Sequence, residues 1–274
     1  MEEKLKIEYT IISRGTEKYG SKGYMGISEV KKGKRYFVLS KHYEKEVKTL
    51  KDSFEFDDIY NIENITLSRF EIIPKITLDN KKDFINERII ICGLGNVGFA
   101  SLIYLLDLGY KEIDILINNN EKYVNDAVMQ LNQIYNAKIS VVTTLSTYNT
   151  YIEATGKSNI IKEIIENITE NSSIFLLGTP REGTYLIDPL EIHRKNINIF
   201  GGHELNGHSW QNRNSCFIDL LKKNRNKELK KFVNIYNEKP NIVNNVLQRK
   251  NNFFEVIKYD ICLLYTSPSP RDRQ

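Results

Sequence analysis

Residues 89–98 read Ile-Ile-Ile-Cys-Gly-Leu-Gly-Asn-Val-Gly, an apolar run that passes directly into Gly93, Gly95 and Gly98. No other stretch constrains the fold as strongly. A short β-branched run ending in glycines at this spacing, then an apolar periodicity (Val97, Ala100, Ile103, Leu106), reads as strand, tight turn and helix. The three glycines carry separate duties. Gly93 permits the turn, Gly95 lets a backbone approach a pyrophosphate, and Gly98 lets the helix pack close to its strand. Leu94, Asn96 and Val97 complete the loop, and the helix start offers unpaired N–H groups to phosphates. The pattern therefore predicts a dinucleotide site at residues 93–98.

From residue 88 onward strand-like and helix-like segments alternate. Strands are expected at 89–92, 113–117, 139–142, 151–154, 173–177 and 197–200, with helices at 96–108, 121–135 and 158–168. Gly109 reads as a helix stop, and Asp188-Pro189 as an N-cap followed by proline at the first helical position. Such alternation predicts an α/β fold with a doubly wound parallel sheet, and ligands bind at the C-terminal edge of such sheets. Residues 1–50 read as short strands broken by glycines. Residues 51–85 lack a clear period, with Phe70–Ile76 readable as a strand around Pro74 and the whole as a connection. Residues 215–224 and 240–249 read as helices, and 253–259 as a last strand that pairs with the N-terminal β region.

Composition excludes several classes. The 39 basic and 35 acidic residues are interspersed and leave a net charge of +4, which gives no basic face for nucleic acid. Apolar runs are too short for a membrane span, and no signal peptide is expected at the N-terminus. Three distant cysteines, at 92, 216 and 262, make neither a disulfide framework nor a Cys-x-x-Cys site, so a cytoplasmic location is expected. Residues 262–274 are Pro/Ser-rich, lack periodicity and look like translated sequencing-adapter sequence; the natural chain is expected to end or be interrupted near Ile261.

Three stretches together resemble the medium-chain dehydrogenase/reductase family: Ile12-Ser13-Arg14-Gly15-Thr16-Glu17, the Gly93–Gly98 loop, and Glu153-Ala154-Thr155-Gly156 with Leu177-Gly178-Thr179-Pro180 and Asp188–Lys195. The resemblance implies a Rossmann domain at 87–224 inserted in a smaller, mostly β, GroES-like catalytic domain. That domain is built from 1–86, shorter than usual, and 225–261. It also implies hydride transfer between NAD or NADP and a small alcohol or carbonyl. By the family pattern Thr155, Gly156, Gly178, Thr179 and Pro180 face the adenosine and the nicotinamide ribose. Thr16 matches the family's proton-relay hydroxyl, and Arg14 is placed against the pyrophosphate or a substrate anion, with Tyr19 and Tyr24 as further phenols. Each of these four also reads as an ordinary turn or surface residue.

This sequence departs from the family at its zinc ligands. Ser13 stands where many members have a Cys, no Gly-His-Glu occurs in the N-terminal half, and tetrahedral zinc needs three or four converging ligands. No metal is expected. His203, His208 and Cys216 read as polar loop residues rather than ligands, and His42 as a surface or loop residue. The second Rossmann strand ends Ile117-Asn118-Asn119-Asn120. Asn118 and Asn119 can bond a ribose hydroxyl or a 2′-phosphate; NADP is permitted, with a slight lean to NAD. A decayed NAD(P)-binding module, serving as a redox sensor, is the alternative to an enzyme. The sequence does not fix the oligomeric state, although exposed strand edges in such domains often pair into a homodimer.

Overall fold

The computed structural model describes residues 4–20, 22–47, 53–86, 88–118, 121–180, 187–204, 209–249 and 252–260. The adapter-like tail, Asn119 and His208 lie outside these residues. The N-terminal part contributes β1 (Leu5–Ile12), the single turn α1 (Arg14–Glu17), β2 (Gly26–Ser28), β3 (Lys34–Val38), β4 (Glu46–Val47) and β5 (Phe54–Asp57). A long helix, α2 (Ile62–Leu78), leads out of it. The central part runs β6 (Ile89–Cys92), α3 (Asn96–Asp107), β7 (Glu112–Leu116), α4 (Lys122–Tyr135), β8 (Lys138–Val142), β9 (Thr150–Glu153), α5 (Ser158–Asn167), β10 (Ser173–Leu176), α6 (Pro189–Lys195) and β11 (Asn198–Gly201). Then come α7 (Trp210–Asn224), β12 (Val233–Asn237), α8 (Ile242–Gln248) and β13 (Phe254–Lys258).

The central strands form a six-stranded sheet in the order β11-β10-β9-β6-β7-β8, parallel throughout. The chain winds outward from β6 through β7 to β8, then crosses back to β9 and continues the other way. The reversal between β6 and β9 opens a crevice at their C-terminal ends, where open α/β sheets bind ligands. The second sheet, β12-β13-β1-β2-β3-β5 with β4 also on β1, is built from both chain ends. β13 pairs antiparallel with β1, Ile12 opposite Glu255, as expected for a closing strand. β12 runs parallel to β13 and was not anticipated from the sequence.

The main correction concerns residues 62–78, which form one helix rather than a connection containing a strand. The side chain of Asn61 caps it by accepting the N–H of Asn64. The helix is buried on nearly every side, between α3 and α7, so it carries no amphipathic stripe for periodicity to detect. Pro74 lies inside the helix and leaves the Phe70 carbonyl without its i→i+4 donor, a local loss that the burial of the surrounding turns outweighs. Helix α7 also starts earlier than its apolar residues suggest, because Ser209 caps it through the N–H of Asn212.

Burial of α2 includes a carboxylate. Glu71 is fully buried beside Asn224 and Ser68, and burial pushes its carboxyl up to about 7, against the pull of Lys227 and of the Asn224 hydrogen bond. Its value in the folded state lies above the ordinary one of about 4.3, so folding takes up a proton. The associated stability is complete below that ordinary value and is lost as pH rises through about 7. Glu71→Gln should therefore remove about 3 kcal/mol of acid-side gain from the pH profile of urea unfolding. An unchanged profile would mean that the carboxylate is stabilised by groups other than these.

Candidate active site

The three glycines of the turn after β6 meet different surroundings. Gly93 has φ +90°, and a Cβ there would lie 2.5 Å from Cγ2 of Thr155. A Cβ on Gly98 would lie 1.9 Å from the carbonyl oxygen of Gly93, so the start of α3 rests directly on the turn. Gly95 has nothing within 4 Å of its Cβ position. It caps α3 and faces a cleft of about 240 Å³ whose walls include Gly93, Leu94, Asn96, Asn118, Thr155 and Arg14. Two of the glycines are thus fixed by packing, and the third presents bare backbone to open space at a helix N-terminus.

The opposite wall is the loop after β9. Glu153 ends that strand fully buried, and its Oε1 accepts the N–H groups of Thr155 at 2.7 Å and Gly156 at 3.0 Å and the Thr155 hydroxyl. Burial raises its carboxyl above the usual range, and these hydrogen bonds pull back. Gly156 has φ +65°, and a Cβ on it would lie 2.2 Å from the carbonyl oxygen of Thr179; one on Gly178 would lie 2.3 Å from the Gly156 nitrogen. The loops after β9 and β10 interlock backbone to backbone. Of the expected cofactor residues, Gly93, Leu94, Gly95, Asn96, Asn118 and Thr155 line the cleft. Val97 is half-buried and Gly98 buried behind the turn, Gly156 and Gly178 form the loop contact, and Thr179 and Pro180 are exposed beyond it.

Three side chains act differently from their sequence-level expectation. Asn96 turns away from the turn: its Nδ2 donates to the carbonyl oxygen of Phe253 at 3.0 Å and of Ile12 at 3.5 Å, which fastens α3 to the other sheet. Arg14 lines the cleft but is held from behind, its Nε donating to Glu255 Oε2 at 2.7 Å and its other nitrogens to Glu255 Oε1 and the carbonyls of Leu247 and Arg249. His42 is buried, not superficial. Its ring fills the space beside Gly23, its Nε2 meets Glu17 Oε2 at 2.7 Å, and its Nδ1 meets Thr10 Oγ1 at 2.8 Å. Thr10 continues to the Tyr259 hydroxyl at 2.8 Å. Thr16 is half-buried next to this chain and accepts from Ser13 Oγ at 3.4 Å.

The cleft also contains residues the sequence reading passed over: Glu121 and Tyr123 at the start of α4, Lys157 and Ile160 at the start of α5, and Asn252 and Phe253 from the chain end. A signal for the first four existed in their position just beyond the strands that flank the crevice. Phe253 had none, because it reaches the site only through the β13–β1 pairing, stacking on Phe99 of α3 at 4.0 Å. Elsewhere, His203-Glu204 follows β11, and Glu204 is held by both terminal nitrogens of Arg69 at 2.6 Å. Burial alone would raise its carboxyl, but Arg69 brings it below the ordinary value. Among the described residues no three His, Cys, Asp or Glu side chains gather as a metal site would need. No helix among them is long and apolar enough to cross a membrane.

No family model matches the sequence, and no curated protein does. Solved structures match it over nearly the whole chain. The 2R,3R-butanediol dehydrogenase of Bacillus subtilis is 13% identical, with 93% of this chain and 91% of that one covered and a TM-score of 0.65. Escherichia coli YhdH with bound NADPH is 11% identical over 93% and 90%, with a TM-score of 0.69. A short chain alcohol dehydrogenase of Escherichia coli, RspB, complexed with NADH, is 13% identical over 93% and 91%, also at 0.69. This chain has the fold those dehydrogenases share. The resemblance first read from short motifs thus extends to the three-dimensional arrangement: an α/β cofactor-type domain with a doubly wound parallel sheet, set in a smaller β domain made by both chain ends.

Proposed function

We propose that the chain is an NAD(P)-dependent oxidoreductase of the medium-chain type, acting on a small alcohol or carbonyl compound. The observation that carries this reading is the open backbone of Gly95 at the start of α3, facing a cleft at the reversal of strand order. A diphosphate fits the chemistry of that place: unpaired helix N–H groups, no side chain in the way, and the Arg14 guanidinium in the wall. Asn118 and Glu121 line the same cleft and can serve as acceptors for ribose hydroxyls, and a carboxylate in the wall disfavours a 2′-phosphate, which favours NAD over NADP. When bound, the nicotinamide supplies hydride acceptance or donation; the protein orients it and handles the proton. Thr16 is the hydroxyl assigned to hold the proton at the substrate oxygen, next to Ser13.

The proposed chemistry is zinc-independent, on the strength of the donor set. Ser13 offers no thiolate, and both ring nitrogens of His42 are already hydrogen-bonded. The similar dehydrogenases make turnover a better reading than a decayed binding module. The proposal includes a homodimer, since among the described residues β11 and β8 are the edge strands of the parallel sheet, and a cytoplasmic location, which the few, scattered cysteines favour. The test is titration of metal-depleted protein with NADH and NADPH, read by nicotinamide fluorescence, followed by turnover on a panel of alcohols, aldehydes and ketones. Tighter NADH binding and metal-insensitive turnover are expected. Binding without turnover on any substrate would leave only the binding module, and turnover restored by zinc alone would overturn the zinc-independent mechanism.

A further inference from the structure

Glu153 is the most completely engaged buried carboxylate next to the cleft, and nothing in the proposed hydride transfer uses it. Its Oε1 collects three donors from two consecutive residues, the Thr155 N–H and hydroxyl and the Gly156 N–H, while Oε2 lies 3.2 Å from the same Gly156 nitrogen. The consequence passes through Thr155. With its hydroxyl turned down onto Glu153, its methyl group lies where a side chain on Gly93 would be, against the turn that starts the cleft. The same carboxylate lies under Gly178, where a Cβ would sit 2.9 Å from Oε2. One buried carboxyl group thereby fixes the loop after β9 against both the glycine turn and the loop after β10.

We propose that ionised Glu153 is a positioning residue for the dinucleotide: it sets the shape of the cleft's adenosine-side wall through Thr155 and Gly156 and makes cofactor affinity depend on its own ionisation. The inference rests on the reading of the cleft as a dinucleotide site. Hydrogen bonds to a charged acceptor are the strong ones, and three donors aimed at one oxygen suit a carboxylate better than a neutral carboxyl, whose carbonyl oxygen is the weaker acceptor. Burial works in the opposite direction and favours the neutral form. The two effects oppose each other, burial prevails in raising the carboxyl, and acidification favours its neutral form. The titratable group facing it from β6 is the Cys92 thiol, which burial pushes up and keeps neutral. From the start of α5 the charged neighbour is Lys157, whose N–H donates to Oγ1 of Thr155. From β10 it is covered by Gly178, which carries no charge.

The test uses Glu153→Gln, which keeps volume and one acceptor but removes the charge and turns an NH₂ toward the Gly156 N–H. Thr155→Val, which keeps the methyl group against Gly93 and removes the hydroxyl, is the companion. NADH affinity is measured by fluorescence from mildly alkaline to mildly acidic pH, with thermal unfolding alongside. Wild-type affinity should fall on acidification. Glu153→Gln should bind at least about tenfold more weakly at neutral pH, with a flat pH profile and a melting temperature at least as high as wild type, and Thr155→Val should be intermediate. A Glu153→Gln protein that binds NADH with wild-type affinity and pH dependence overturns the proposal while leaving the dinucleotide reading standing. Wild-type protein that binds neither NADH nor NADPH overturns both. If Glu153→Gln does not fold, Thr155→Val decides: wild-type affinity in that variant also overturns the proposal.

Discussion

Replacing Gly95 by phenylalanine should abolish NADH binding, by a factor of about 100 or more, without unfolding the protein. The two halves of this expectation come from the same observation. Nothing lies within 4 Å of the position a Cβ would take, so a side chain is accommodated by the folded protein. The backbone at Gly95 has φ −87°, which any residue adopts, so no left-handed strain is introduced. The ring would instead project into the cleft and across the N-terminus of α3, excluding the diphosphate from the N–H groups it needs. Losing a charge-assisted contact to those groups and the approach itself accounts for a loss of about 3 kcal/mol or more. Binding is read by fluorescence and integrity by circular dichroism and thermal melting. Gly98 behaves in the opposite way: a Cβ there collides with the Gly93 carbonyl at 1.9 Å, so its substitution harms fold and binding together. The contrast between the two glycines is what separates a ligand cradle from a packing constraint.

Arg14→Ala should destabilise the protein by about 3–5 kcal/mol, on the order of 10 °C in melting temperature. Glu255 is 2% exposed, and Arg14 is its bidentate partner. Burial raises the Glu255 carboxyl, and Arg14 offsets part of that rise. Without the guanidinium, a buried carboxylate on β13 loses its counter-charge, and the carbonyls of Leu247 and Arg249 lose their donor. The double variant Arg14→Met with Glu255→Gln should recover most of the loss, because it removes both charges rather than one. If Arg14→Ala instead melts like wild type and loses only turnover, the residue acts on the substrate and its pairing with Glu255 is incidental.

How legible this was in the sequence depends on what each residue does. The central parallel sheet could be read almost strand by strand, because β6, β7, β9 and β10 are short apolar runs closed by glycine or polar residues and alternate with periodic helices. Helix α2 could not, since burial on nearly all sides erases the stripe that periodicity detects and leaves Phe70–Ile76 readable as a strand around Pro74. Within the site, Gly93 was visible because the turn demands it, Gly95 because the glycine spacing marks a phosphate approach, and Thr155 through the family resemblance. The roles of Asn96, Arg14 and His42 were not, because each is set by a partner far along the chain: Phe253, Glu255, and Glu17 with Thr10. The first two contacts exist only once both chain ends have joined in one sheet, and the third only once the N-terminal strands have folded. Glu153 lay in a recognised motif, but the three donors on its carboxylate are visible only in the folded loop.

The central claim is that main-chain N–H groups at the start of α3 hold the diphosphate of a nicotinamide nucleotide. It is tested most directly by following the backbone amide resonances of Leu94, Gly95, Asn96 and Val97 while NADH is added to the wild-type protein. Saturable shifts at these four amides, larger than those elsewhere and reaching their end point at one NADH per chain, are predicted. NADH binding that leaves them unmoved, or an absence of binding at any concentration reached, would contradict the account.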